Sequence, residues 1–155
     1  MLGRGCGGWA GRSDGAWDIT QQSLGIWAQN VALLAGNADA DTRQDLLRVW
    51  QDAQGELQLT VWRSNGNSFE AGSSTPLGTP QAEQQFHAGD VNGDGRSDLV
   101  RIWRDASGQA RASVWRATSV GDAPPYDQRD DDLLGAWRDG TRWSLHDHNG
   151  DGRAD

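Results

Sequence analysis

Phe86-His87-Ala88-Gly89-Asp90-Val91-Asn92-Gly93-Asp94-Gly95-Arg96-Ser97-Asp98-Leu99-Val100 sets an acidic, glycine-bearing loop directly before a branched apolar run. Asp90, Asn92, Asp94 and Asp98 stand at positions 1, 3, 5 and 9 of that loop. The spacing recurs at Asn37, Asp39, Asp41 and Asp45 and at Asp147, Asn149, Asp151 and Asp155, so three loops occupy residues 37–45, 90–98 and 147–155. Closely spaced carboxylates repel one another unless a cation sits among them. Hard oxygen donors at alternate positions suit calcium, and the backbone carbonyls of Arg43, Arg96 and Arg153 are available at position 7. All of these residues are candidate Ca2+ ligands.

The rest of the chain keeps step with the loops. Asp45 and Asp98 are 53 residues apart, and Asp98 and Asp155 are 57 apart. At the first offset, Asp45-Leu46-Leu47-Arg48-Val49-Trp50 lies over Asp98-Leu99-Val100-Arg101-Ile102-Trp103. Gln58-Leu59-Thr60-Val61-Trp62-Arg63 likewise lies over Arg111-Ala112-Ser113-Val114-Trp115-Arg116. Upstream of the loops, Leu33, Phe86 and Trp143 fall in register as bulky apolar residues. Self-similarity at a period of about 50 residues is the mark of solenoids, propellers and arrays. Agreement at separate places in each unit makes this a true repeat.

Within a unit the signals are those of short strands. Leu46–Trp50 and Leu99–Trp103 are rich in branched and aromatic residues and read as strands. Turn residues follow in Gln51–Gly55 and Arg104–Gly108. Leu57, Leu59 and Val61 then alternate with Gln58, Thr60 and Trp62, the period-two pattern of a strand with two different faces. Asn65-Gly66 and Asp139-Gly140 predict further hairpins. Trp9 to Trp17, turning at Asp14-Gly15, reads as the remnant of a preceding unit, and the Pro-bearing segments 71–85 and 118–131 read as loops between units. No long helical period occurs, so the fold class is all-β.

The formal net charge of this 155-residue chain is −8, but the three loops alone hold nine Asp, without which it would be +1. The acidity is therefore concentrated at the loops, and with no strongly basic face there is no case for nucleic acid. All 14 basic residues are Arg, a bias with no functional reading. Cys6 is the only cysteine, so no intrachain disulfide forms. Met1 to Gly8 lacks the apolar core of a signal peptide, and no stretch reaches the length of a membrane span.

The stretch from Phe86 to Val100 resembles the FG-GAP (or VCBS) repeat. The resemblance covers about residues 23–155 and leaves 1–22 as a partial N-terminal segment; the second loop matches best and the third nearly as well. Such repeats build the β-propeller of integrin α-subunits and of many bacterial secreted or surface proteins, and similar ones occur in B-type components of bacterial toxin complexes. The resemblance implies that each unit is a four-stranded antiparallel blade whose loop holds calcium between neighbouring strands through its four named side chains. The first loop departs from the pattern, with Ala40 and Thr42 where the second has Gly93 and Gly95. A propeller needs roughly four to eight blades, and this chain offers two nearly complete units with partial ones at each end. The expectation is a segment of a longer propeller. A ring completed by self-association is the rival, because unpaired outer strands are adhesive edges.

Other chemistries fit less well. An EF-hand wants Glu twelve residues into the loop, and a dockerin wants a ligand there followed by a helix; Arg101 stands at that place in an expected strand. Nine Trp invite stacking on sugar rings, but Trp50, Trp62, Trp103 and Trp115 recur at equivalent places, as blade-to-blade packing requires. His146 and His148 flank Asp147 without a third soft ligand and read as solvent-facing. General acid work needs a desolvated carboxyl of raised pKa, whereas carboxylates gathered on a cation stay ionised. No Ser-His-Asp or Cys-His set is discernible, so no enzyme is expected. The sequence thus reads as a calcium-binding, non-catalytic binding or scaffold module of an extracellular or cell-surface protein, with a protein or glycan partner. The alternatives are the propeller region of a toxin-complex B-type protein and a carbohydrate-gripping accessory region of a secreted hydrolase.

Overall fold

Leu57, Leu59 and Val61 are fully buried; on the other face Gln58 and Trp62 are half-buried and Thr60 is covered where the Trp50 indole bonds it, so the strand has two unlike faces. The computed structural model describes residues 21–24, 30–118, 126–128 and 131–155. Trp9 to Trp17 lies outside the described residues, as does most of the 1–22 segment. Among the described residues every regular element is a strand.

β1 (Asn30–Gly36), β2 (Asp45–Gln51), β3 (Leu57–Ser64) and β4 (Phe69–Gly78) form one antiparallel sheet in chain order. β5 (Ala82–Gly89), β6 (Asp98–Arg104), β7 (Gln109–Ala117), β8 (Tyr126–Gln128) and β9 (Asp132–Ala136) form a second antiparallel sheet of five strands. Both β8 and β9 pair with β7, at Ala117↔Tyr126 and Gln109↔Ala136. They share the place that β4 fills alone from Ser64↔Phe69 to Leu57↔Gly78. The second sheet is therefore a four-stranded blade whose outer strand comes in two pieces.

The uneven repeat length has the same origin. Phe69 follows Ser64 by five positions, and Tyr126 follows its partner Ala117 by nine. That difference of four takes the offset from 53 to 57, and it falls wholly in the connection between β7 and β8.

The sheets pack face to face. Leu47, Val49, Leu57, Leu59 and Val61 of the first join Phe86, Leu99, Trp115, Ala117 and Tyr126 of the second in one core. The far side of the second sheet, Val100, Ile102 and Ala112, is covered by Trp137, Trp143 and Leu145. Trp143 thus does on the second sheet what Phe86 does on the first, as their register implies. Arg101 is buried between the sheets, 4.9 Å from the Trp115 ring and 5.8 Å from that of Trp103, and donates to Thr79 O and Ser113 Oγ, each at 3.2 Å. A desolvated guanidinium on indole faces gains roughly 2 kcal/mol or more. The Trp103 indole N–H donates to Ser113 Oγ at 3.0 Å, and its equivalent in the first sheet, Trp50, donates to Thr60 Oγ1 at 2.9 Å. Trp115 is fully buried, while Trp50, Trp62 and Trp103 are half-buried.

Three expectations need correction. Segment 71–85 is mostly strand, the bulk of β4 and the start of β5. Ala71, Gly72, Ser73 and Ser74 are exposed, so no apolar alternation marks them, and Pro76 is tolerated because an outer strand has one unpaired edge. Segment 118–131 contains β8. Asp139-Gly140 does make a turn, closed by the Thr141 N–H to Arg138 O at 3.2 Å, but no strand follows it. The chain there lays Trp143 and Leu145 on the neighbouring sheet instead of pairing with it. Gln22 ties onto the outer strand, accepting from Phe69 N–H at 2.8 Å and donating to Phe69 O.

Candidate functional site

The β1–β2 and β5–β6 connections are the first two acidic loops, and the third follows the irregular segment that covers the second sheet. Position 9 of the first two loops opens the next strand. Asp98 is fully buried at the start of β6; its Oδ2 accepts Val91 N–H at 3.1 Å and its Oδ1 accepts Ala117 N–H at 2.9 Å. Asp45 repeats this, with Ala38 N–H at 2.9 Å and Ser64 N–H at 2.9 Å. Asp155 keeps the first of these bonds, from His148 N–H at 3.3 Å, and is exposed. In the first two loops the position-9 carboxylate therefore locks the loop to the end of the strand beside the one it opens.

Position 1 organises the loop itself. Asp90 Oδ1 accepts the N–H groups of Gly93 and Asp94 at 2.6 and 3.1 Å, and its Oδ2 accepts that of Gly95 at 2.7 Å. Asp147 takes Gly150 and Gly152 in the same way, at 2.6 and 2.9 Å. Positions 3 and 5 continue the winding. Asn92 Oδ1 accepts Asp94 N–H at 2.9 Å, and Asp94 Oδ1 accepts Arg96 N–H at 2.8 Å. Asn149 and Asp151 do the same for Asp151 and Arg153, each at 2.9 Å. Asp39 Oδ1 accepts Asp41 N–H at 3.1 Å, and Asp41 Oδ1 accepts Arg43 N–H at 2.6 Å. The Arg43 guanidinium also turns back on Asp41 at 2.7 Å, and that of Arg96 lies 3.6 Å from Asp94.

The first loop reaches this shape without its glycines in part. Ala40 adopts φ 63, the left-handed conformation that Gly93 and Gly150 adopt at φ 80. An alanine there costs about 1–2 kcal/mol that glycine does not. At position 1, the Asn37 side-chain amide donates to Asp41 O, and its Oδ1 is buried without a hydrogen-bond partner.

Burial, with repulsion from Asp94 and Asp90 added, pushes the Asp98 carboxyl up to about 6. Asp45 is raised in the same direction, first by burial and then by Asp39 and Asp41. Asp147, wrapped by the N–H groups of Gly152 and Gly150, is held below the ordinary carboxylate range. Among the described residues, no three His, Cys, Asp or Glu side chains converge on one point. What the loops offer a metal is the chemistry of their donors: carboxylate and amide oxygens at positions 1, 3 and 5, an orphaned Asn37 Oδ1, and a buried Asp98 carboxyl that Asp94 and Asp90 repel. That set fits a hard divalent cation and no soft one. His146 and His148 are exposed, their rings 3.8 Å apart between centroids.

Several organising residues carried weaker sequence signals. Ser97 donates its N–H to Asn37 O at 2.6 Å and accepts Asn37 N–H on its Oγ at 2.9 Å. Ala154, the equivalent residue of the third loop, donates to Asp90 O at 2.7 Å. The only trace in the sequence is the glycine just before each of the first two loops, Gly36 and Gly89. Tyr126 donates its hydroxyl to Ser97 O at 2.7 Å. Asp52 and Asp105 hold the β2–β3 and β6–β7 turns, each accepting two backbone N–H groups on Oδ1 at 2.9 to 3.0 Å.

Residues 37–101, from the start of the first loop to the strand after the second, match a family model described as the FG-GAP-like repeat. No curated protein and no solved structure matches the chain significantly.

Proposed function

From the premise that residues 37–101 form an FG-GAP-like repeat, we propose that this chain is a calcium-stabilised propeller module, a non-catalytic binding or scaffold segment of an extracellular or cell-surface protein. The repeat accounts for the β-propeller-like module. One observation carries the calcium reading: oxygen donors recur at positions 1, 3, 5 and 9 of three loops, one in each of two consecutive blades and one in the segment packed on the second.

Asp90, Asn92 and Asp94, with the carbonyl of Arg96 and the clamp Asp98, are the residues that would hold the ion in the second loop. Asn37, Asp39, Asp41, Arg43 and Asp45 would do so in the first, and Asp147, Asn149, Asp151, Arg153 and Asp155 in the third. Bound calcium supplies positive charge where burial and carboxylate repulsion raise the cost of ionised Asp98 and Asp45. Because such binding favours the folded state, stability rises with ion concentration by mass action. Extracellular modules commonly bind calcium at ~0.1–1 mM, which suits a structural ion.

The scaffold reading is supported by how the aromatic residues are employed. Trp115 is buried between blades, and the indole N–H groups of Trp50 and Trp103 are engaged by neighbouring strands. That leaves little for a polysaccharide grip at these positions. Thermal melts by circular dichroism, in calcium and then in excess chelator, test the proposal. A β-type spectrum whose midpoint rises with calcium is expected; a folded protein indifferent to the ion overturns it.

A further inference from the structure

Gly36 and Gly89 are not in the left-handed region, so their identity is not explained by turn conformation. Space explains it. A Cβ on Gly36 would lie 2.8 Å from Ser97 Cβ, and one on Gly89 would lie 2.9 Å from Ala154 Cβ and 3.0 Å from Leu145 Cδ2. At each place, position 8 of one loop presses on the residue that precedes the loop before it. The contact is also hydrogen-bonded: Ser97 and Asn37 exchange two bonds, at 2.6 and 2.9 Å, and Ala154 donates to Asp90 O at 2.7 Å.

We propose that the three loops are one coupled array, in which Ser97 and Ala154 are positioning residues for the first ligand of the neighbouring loop and divalent-cation binding is cooperative. This rests on the calcium reading above and specifies how its sites communicate. Ser97 and Ala154 each directly precede a position-9 aspartate. Ordering the second loop fixes Asp98 and with it Ser97, and Ser97 holds both backbone polar groups of Asn37. Ordering the third loop does the same for the carbonyl of Asp90 through Ala154. Fixing a residue's backbone costs conformational entropy. A loop whose first ligand is already held does not meet that cost on binding, which is positive coupling between sites.

Tyr126 reinforces the link, since its hydroxyl takes the remaining backbone group of Ser97, the carbonyl, at 2.7 Å. The array is also directional, the first loop being held by the second and the second by the third. His146 stands before the third loop where the first two have Gly36 and Gly89, so the same close approach is shut there.

Calcium titration followed by calorimetry, with loop-resolved amide NMR shifts, tests the proposal on the whole chain. The wild type is expected to fill with a Hill coefficient above 1. Gly36→Ala should weaken the first loop by about five-fold or more, the lower range of allosteric coupling, while the third loop binds as before. Ser97→Ala, which removes only the hydroxyl acceptor, serves if Gly36→Ala does not fold, and should act in the same direction. Loops that fill independently, or a first loop untouched by both variants, overturn the coupling and leave the calcium reading standing. Absence of calcium binding overturns that reading and the cooperativity with it. Amide exchange in chelator reads the array without any ion: Ser97 and Ala154 should be protected, and exchange as fast as that of an open loop would refute the link.

Discussion

Asp98 Oδ1 and the Ala117 N–H are joined at 2.9 Å across 19 residues of chain, and Asp45 and Ser64 repeat the bond at the same distance and separation. Each aspartate thereby ends a loop, starts a strand and pins the end of the strand beside it. The carboxylate is fully buried, and its removal leaves two backbone N–H groups without their acceptor. Each such orphan costs about 1–3 kcal/mol. Asp98→Ala should therefore lose about 2–6 kcal/mol in urea unfolding measured in chelator, where no ion contributes. A loss under ~0.5 kcal/mol would show that the clamp is dispensable.

Acid should stabilise the calcium-free protein through this same group. Asp98 is raised to about 6, mainly by burial, against about 3.9 in an unfolded chain. Between those values the folded state binds a proton that the unfolded state does not, so this contribution to stability grows as pH falls from 7 through 6 towards 4. His87 works in the opposite sense, because burial depresses its pKa and its share of stability is lost on acidification. The difference between wild type and Asp98→Asn isolates the aspartate. In chelator, that difference should shift in favour of the wild type between pH 7 and pH 5, and in saturating calcium the shift should vanish or reverse. An identical pH dependence of the two proteins in chelator would contradict the assignment.

Asp94 separates ion binding from folding. It is exposed, and within the protein its carboxylate receives the Arg96 N–H and the Asn92 side-chain amide. Asp94→Ala should leave the melting temperature in chelator close to that of wild type while shrinking the rise produced by calcium. An unchanged rise would mean that the second loop contributes nothing to ion-dependent stability.

What could be read in the sequence and what could not divide along physical lines. β3 was legible because Leu57, Leu59 and Val61 face a core while Gln58 and Trp62 do not, and β2 and β6 because strands buried on both faces draw on branched and aromatic residues between polar turns. β4 was not, because an outer strand with Ala71 to Ser74 exposed obeys no such constraint. The loop donors were legible as a repeated spacing. The bonds that Asp45 and Asp98 accept from Ser64 and Ala117 were not, since nothing in the spacing of a loop records which distant N–H its last aspartate will meet. The contact of Ser97 with Asn37 is set by how one blade sits on the next, and a single glycine before the loop is a faint record of it.

Tyr126 gives the last test, because it joins the interrupted outer strand to the loop array. It is almost wholly buried, with its hydroxyl on Ser97 O, and burial together with the nearby Asp98 and Asp45 charges raises its pKa far above the ordinary range. The phenol is thus a neutral donor at every pH the protein meets, and charge plays no part in its loss. Tyr126→Phe keeps the ring in the core and deletes only the hydroxyl, leaving a part-buried carbonyl without that donor. The expected cost is about 1–2 kcal/mol in chelator, accompanied by faster exchange of the Ser97 amide, as the residue that Tyr126 steadies becomes freer to leave Asn37. A destabilisation of that size with no change at Ser97 would place the effect in the core and detach the outer strand from the loops.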